Sequence, residues 1–255
     1  VIDLPAFSLA GKRILVTGAN TGIGQGIAVS IARAGGAVVG VGRSSMDETA
    51  ARIAAQKGGQ FEAVTADLAD TAAAGPMLDR VWEKSGPLDG LVNNAGIIRR
   101  ADAVDLSEAD WDEVLDVNLK TVFLLCQAFA RRVLADGRKG KIVNIASVLS
   151  FQGGIRVASY TASKHGVLGI TRLLACEWAA KGINVNGIAP GYIETNNTEA
   201  LRADPDRSAA ILARIPAGRW GEPGDIGDAA VFLLASASNY MHGAVVPVDG
   251  GWLAR

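Results

Sequence analysis

The chain has 255 residues, 49% hydrophobic and 20% charged, with a formal net charge of −1 at pH 7. That length and balance fit one globular α/β domain over residues 1–255. They exclude a polybasic surface for nucleic acid or an anionic membrane, so the expected partner is a small molecule.

Short β-branched runs alternate along the chain with longer amphipathic stretches. Arg13 to Thr17 is expected as a buried strand and Gly22 to Ala34 as the helix after it. The unit repeats over Ala37 to Val41 with Met46 to Lys57, and over Phe61 to Thr65 with Ala72 to Lys84. Leu88 to Val92 is the fourth strand, followed by a long helix over Glu108 to Ala135. Then come a strand at Lys141 to Ala146, a helix at Ser159 to Lys181 and a strand at Ile183 to Ile188. Glu222 to Ala235 is a late helix and Ala244 to Val248 the last strand. Strands alternating with helices imply βαβ units and a parallel sheet covered on both faces. The sizeable irregular region is 190–224, with Pro190, Pro205, Pro216 and Pro223 and a helical turn or two around Thr198 to Ile215. Long inserts at the carboxyl ends of strands commonly form lids, so this region is expected to be a lid or substrate segment.

No apolar run is long enough to span a bilayer. Val1 to Arg13 lacks a charged region followed by an apolar stretch, so no secretory leader is expected there. Cys126 and Cys176 fall inside expected helices and read as buried packing residues of a reducing, cytoplasmic setting. His165 and His242 are not at metal-ligand spacing, and no metal site is expected.

Between the first strand and the first helix lies Thr17-Gly18-Ala19-Asn20-Thr21-Gly22-Ile23-Gly24. Gly18 can make the turn, Gly22 admits a pyrophosphate, and Gly24 lets helix and strand pack closely. The helix N-terminus then offers free N–H groups and the positive end of its dipole. The second strand ends Val41-Gly42-Arg43-Ser44, with no carboxylate to bind the ribose hydroxyls of NAD. Arg43 can hold the 2′-phosphate of NADP or stack on adenine, so NAD and NADP both stay open. Asp67-Leu68 follows strand three and Asn94-Ala95-Gly96 follows strand four, both at strand ends where open α/β sheets bind ligands.

Tyr160 and Lys164 are four apart, so on a helix they share one face. A phenol has a reference pKa of about 10, and a neighbouring ammonium favours its ionised form. Such a Tyr can move a proton on or off a substrate oxygen.

Together these motifs resemble the short-chain dehydrogenase/reductase family across essentially the whole chain. The resemblance rests on the Gly18–Gly24 loop, Asn93-Asn94-Ala95-Gly96, Asn118, Ser147, Tyr160 with Lys164, and Pro190-Gly191. It implies a Rossmann-type, doubly wound seven-stranded parallel sheet in the order 3-2-1-4-5-6-7, and usually a homotetramer. It assigns the proton exchange to Tyr160 and orientation of the reacting oxygen to Ser147. Lys164 would lower the pKa of Tyr160 and bind the nicotinamide ribose, while Asn118 would kink its helix and hold a water. Asn20, Thr21, Gly22, Ile23, Gly24, Asp67, Leu68, Asn94, Ala95 and Gly96 would line the dinucleotide, with Pro190, Gly191 and Ile193 against the nicotinamide. The helices of Asn118 and Tyr160 would build a dimer interface.

Within the family, Leu149-Ser150-Phe151-Gln152-Gly153-Gly154-Ile155-Arg156 and Thr195-Asn196-Asn197-Thr198 look like those of members that act on small sugar acids. Such a substrate needs a cationic anchor for its carboxylate, and an Arg can supply two parallel hydrogen bonds. Arg156 or Arg100 is expected to hold the carboxylate, with Gln152 and Asn197 on hydroxyls; pairing with Asp102 or Asp105 would instead occupy an arginine. Tyr192 and Trp220 could wall the pocket, and Trp252 to Arg255 could reach a neighbouring subunit. A gluconate 5-dehydrogenase and a 3-oxoacyl-carrier-protein reductase are the rivals, the latter needing a basic rim such as Arg131, Arg132 and Arg172. A non-catalytic dinucleotide-binding regulator would have no use for a tuned phenol.

Overall fold

Strand β1 (Arg13–Thr17) opens the sheet because its apolar side chains serve two cores: Ile14 and Val16 point to one face and Leu15 to the other. The structure, a computed structural model, describes residues 4–255, so the first three residues of the stretch without a leader signal lie outside the described residues. After β1 the chain alternates through α1 (Gly22–Arg33), β2 (Ala37–Gly42), α2 (Asp47–Ala54), β3 (Gln60–Thr65), α3 (Thr71–Ser85) and β4 (Gly90–Asn93). It continues through α4 (Glu108–Leu115), α5 (Thr121–Ala135), β5 (Gly140–Ile145), α6 (Ala158–Trp178) and β6 (Ile183–Pro190). Helices α7 (Asn196–Ala203), α8 (Pro205–Arg214) and α9 (Pro223–Leu234) precede β7 (Val245–Val248). All seven strands are parallel, in the order β3-β2-β1-β4-β5-β6-β7. This is the doubly wound arrangement expected from the sequence.

One face packs Leu15, Val41, Leu91, Ile142 and Val185 against α3, α5 and α6 through Leu78, Phe129 and Leu174. The other packs Val16, Val38, Val92, Val143 and Ile188 against α1 and α9 through Ile27, Ile31, Ile226 and Leu233. The reversal of strand order beside β1 opens a crevice between the carboxyl ends of β1 and β4, where such sheets bind ligands.

The structure departs from the sequence reading in two elements that matter for the site. The expected single helix over 108–135 is broken by a π-helical segment at Asp116–Lys120, centred on Asn118. Such π-bulges interrupt α-helices frequently at functional sites. The region 196–214 holds two full helices rather than a turn or two. Thr195 shares a capping box with Thr198, and the Asp204 carboxylate caps α8, with Pro205 at its first position. Both are strong helix-start signals embedded in a proline-rich stretch. Cys126 is buried as expected, but Cys176 is exposed, because it lies on the face of α6 turned away from the sheet.

Candidate active site

A cleft of about 450 Å³ opens along the carboxyl ends of the strands, within the range of small-molecule sites. The β1–α1 loop forms one wall. Gly18 and Gly22 have φ of +67° and +56°, a left-handed conformation that favours glycine. A Cβ on Gly24 would sit 2.7 Å from the carbonyl carbon of Gly18, so only glycine allows helix and loop to approach this closely. Thr21, the residue before α1, makes no side-chain capping bond, which leaves the first-turn N–H groups facing the cleft. Free N–H groups at a helix start are what a pyrophosphate requires, so these residues fit a dinucleotide.

Further along the cleft lie Asn20, Arg43, Ser44, Asp67 and Leu68. The Asn20 amide donates to Ser44 Oγ (2.9 Å), tying the glycine loop to the tip of β2. Arg43 and Asp67 approach to 3.9 Å with both side chains more than half exposed, so screening leaves little attraction between them. Asp67 Oδ1 accepts the Ala69 N–H at 3.0 Å. The side chain of Asn94 is turned inward: its amide donates to the Thr17 carbonyl at 3.0 Å. Thr17 Oγ1 in turn accepts the N–H groups of Asn94 (2.9 Å) and Ala95 (3.0 Å). Thr17, the first residue of the glycine motif, thereby ties the end of β1 to the loop after β4.

At the other end of the cleft stand Ser147, Tyr160, Lys164, Pro190, Gly191 and Ile193. Tyr160 and Lys164 share one face of α6, with the ammonium 5.6 Å from the phenol ring centre. Lys164 is buried, and Nζ donates to the carbonyl of Ile145 at the end of β5 (2.6 Å). Burial pushes its pKa down to about 8. Burial pushes the Tyr160 phenol up, partly opposed by the Ser147 hydroxyl and the charge of Arg100. Arg100 is thus a cation whose charge favours the ionised phenol, and the Lys164 ammonium beside the ring is engaged by a backbone carbonyl.

Asn118 is fully buried. Its Oδ1 accepts the Ile97 N–H (2.8 Å), and its Nδ2 donates to the Ile97 carbonyl (2.9 Å) and to Ser163 Oγ (3.3 Å). The π-turn presents this amide to the β4 loop and to α6 together, so Asn118 joins the two walls of the site.

The residues expected to bind substrate separate. Asn197 lines the cleft, together with Thr195, Asn196 and Thr198. Arg100 is outside the cleft lining but donates to the carbonyl of Asn197, which lines it, at 3.3 Å. Arg156 is an exposed loop residue with φ +62° that pairs with Asp102 at 3.3 Å, outside the cleft lining. Gln152 is also outside the lining. Trp220 is no pocket wall. With Ile211, Ile215 and Trp252 it forms a separate small core, against which Tyr192 packs. Trp252 is buried in its own chain, under Arg214 at 4.0 Å, whereas Ala254 and Arg255 are exposed. Among the described residues no group of metal-ligating side chains occurs, and no helix is long and apolar enough to cross a membrane.

Residues 18–253 match the family described as enoyl-(acyl carrier protein) reductase. A 2-dehydro-3-deoxy-D-gluconate 5-dehydrogenase of Escherichia coli is 56% identical over 252 residues, covering 99% of each chain. The chain is a short-chain dehydrogenase/reductase. A solved short-chain dehydrogenase/reductase structure from Agrobacterium tumefaciens, provisionally described as a 2-deoxy-D-gluconate 3-dehydrogenase and bound to NADP, is 63% identical. It superposes with a TM-score of 0.94, covering 99% of this chain and 100% of its own. Another from Beutenbergia cavernae, provisionally described as an NAD(P)-dependent gluconate 5-dehydrogenase with NADP at low occupancy, is 52% identical. Its TM-score is 0.92, covering 98% of this chain and all of its own. As a short-chain dehydrogenase/reductase, the protein is an oxidoreductase.

Proposed function

We propose that this protein interconverts a keto and a hydroxyl group on a small sugar acid, as a 2-dehydro-3-deoxy-D-gluconate 5-dehydrogenase using NADP or NAD. The observation that carries this is full-length identity of 56% to an enzyme of that activity, joined to an intact proton-transfer site. The bound nicotinamide supplies or takes the hydride. Tyr160 gives the proton to, or takes it from, the substrate oxygen. Ser147 donates to the same oxygen and stabilises the charge that develops there. Lys164, Asn118 and the glycine loop hold these groups in register, which is most of what the protein contributes.

The test is a panel of sugar acids with both cofactors. Oxidation of 2-dehydro-3-deoxy-D-gluconate with neither cofactor sinks the proposal. A preference for D-gluconate would favour a gluconate 5-dehydrogenase instead, a reading supported by the Beutenbergia relative. Of the three arginines that the acyl-carrier reading needs as a basic rim, Arg132 is already held by Asp79 (2.6 Å) and Glu83 (2.8 Å).

Arg100, rather than Arg156, is proposed as the carboxylate anchor, since Arg156 is paired with Asp102 whereas Arg100 bonds the cleft residue Asn197 and its charge reaches Tyr160. Arg100→Met is expected to raise KM for the sugar acid by roughly tenfold or more, the worth of a charge-assisted bond. Arg156→Met is expected to change it less than threefold by the same reasoning. Equal effects would reject the assignment.

Arg43 at the β2 tip supports a preference for NADP. Arg43→Ala is expected to raise KM for NADP by roughly tenfold, one lost exposed phosphate contact, and to leave KM for NAD nearly unchanged. Steady-state kinetics with both cofactors check this, and parallel losses would count against it. Within this reading the protein is a cytoplasmic homotetramer. Exposed Trp111 on α4 and Leu173 on α6 support the association, and two unlinked cysteines support a reducing compartment.

A further inference from the structure

Ser147 lies in the connection between β5 and α6, and the chain on either side of it is fastened to one residue. At the near end, Lys164 Nζ donates to the carbonyl of Ile145, two residues before Ser147. At the far end, Ser150 Oγ donates to the carbonyl of the same Lys164 at 2.6 Å. Ser150 Oγ also accepts the N–H of Ser147 at 3.3 Å, closing a capping box around Ser147. Ser147 Oγ accepts the Leu149 N–H at 3.1 Å, which occupies one lone pair and leaves the hydroxyl hydrogen free to point into the cleft. Ser150 is 1% exposed and lies outside the cleft lining, so it touches no substrate itself.

We propose that Ser150 is a positioning residue for the reaction: it sets the direction in which Ser147 presents its hydroxyl to the substrate oxygen. The argument is geometric. Without Ser150 Oγ the Ser147 N–H loses its acceptor and this turn loses its side-chain tie to the Lys164 carbonyl on α6. The turn can then shift relative to α6, carrying the Ser147 hydroxyl off the line shared with Tyr160. Hydrogen-bond donors act on a developing oxyanion only when they are already aimed at it. Displacements of about 1 Å at such a group cost up to 10²-fold in rate. The ammonium of Lys164 and the hydroxyl of Ser150 thus act as two ends of one clamp, with Ser147 between them. This rests on the reading of Ser147 as a donor to the reacting oxygen.

The experiment is a double-mutant cycle on the full chain with NADP and the best sugar acid of the panel. Ser150→Ala is expected to lower kcat by roughly tenfold to a hundredfold with KM for both substrates within twofold. Ser147→Ala is expected to lower kcat at least as far. The double variant is expected to match Ser147→Ala, because Ser150 acts through a hydroxyl that is already gone. Ser150→Cys keeps the volume but weakens the donor, and replaces the alanine variant in the cycle if that variant does not fold. Losses that multiply in the double variant, or parent-like kcat in Ser150→Ala and Ser150→Cys, overturn the proposal. Parent-like kcat in Ser147→Ala would instead overturn the reading of Ser147 on which it rests.

Discussion

Tyr160→Phe is expected to lower kcat by roughly 10²–10⁴-fold while leaving dinucleotide affinity and thermal stability close to those of the parent. Phenylalanine fills the same space on α6, so the packing of this face is preserved. What is lost is the exchangeable proton and the oxygen that would meet the substrate oxygen. Water is a poor replacement because the phenol stands in a cleft shaped by Ser147, Pro190 and Gly191. A decrease confined to kcat, with KM unchanged, is the signature of an interaction made in the transition state. Turnover of the variant within tenfold of the parent would remove Tyr160 from the proton step.

The same phenol gives the two reaction directions opposite pH behaviour. Burial raises the Tyr160 pKa, so the protonated form persists through the neutral range and into alkaline solution. As the acid in ketone reduction it is fully available there, and the reductive kcat/KM should be flat until the pH nears the phenol pKa. As the base in alcohol oxidation it must first be ionised, and the oxidative kcat/KM should climb toward tenfold per pH unit below that pKa. Arg100 opposes the upward shift, so Arg100→Met should move the climb to higher pH. A substrate-anchoring role alone would not move it.

The strand and helix pattern was legible because short apolar runs such as Ile14-Leu15-Val16 and Leu91-Val92 alternate with amphipathic stretches, which is how a parallel sheet covered on both faces reads. The glycine loop was legible because its backbone demands glycine at particular spacings. The partners of these residues were not. Helical spacing placed Lys164 beside Tyr160, but no spacing says that its ammonium will prefer the Ile145 carbonyl. Nor could the sequence choose between Arg100 and Arg156. That choice depends on Asp102 lying across from Arg156, a contact between two loops separated by more than fifty residues. The helices α7 and α8 were under-read because Pro190, Pro205 and Pro216 suggested irregular chain. Pro205 in fact starts a helix, since a first-turn proline gives up no hydrogen bond. A serine three residues after Ser147 has no sequence signature of its role until the loop closes onto α6.

Gly24→Ala tests the other half of the site. A Cβ at this position would stand 2.7 Å from the Gly18 carbonyl carbon and 2.5 Å from Asn94 Nδ2. The first obstacle is backbone, and the second is an amide already committed to the Thr17 and Gly18 carbonyls. Neither can step aside, so the start of α1 must move off the end of β1. Overpacking of this kind costs about 1–3 kcal/mol in stability. The larger effect falls on the dinucleotide, because the N–H groups that face its phosphates move with the helix. A loss of about 3 kcal/mol there is roughly a hundredfold in Kd. Gly22→Ala meets only the Thr195 side chain, at 3.2 Å, which can turn away. Its left-handed φ still costs about 1–2 kcal/mol. Gly24→Ala should therefore bind NADP far more weakly than Gly22→Ala, measured by fluorescence titration beside thermal melts with and without cofactor. If Gly24→Ala bound NADP within threefold of the parent, the close approach of α1 to β1 would not be what builds the phosphate site.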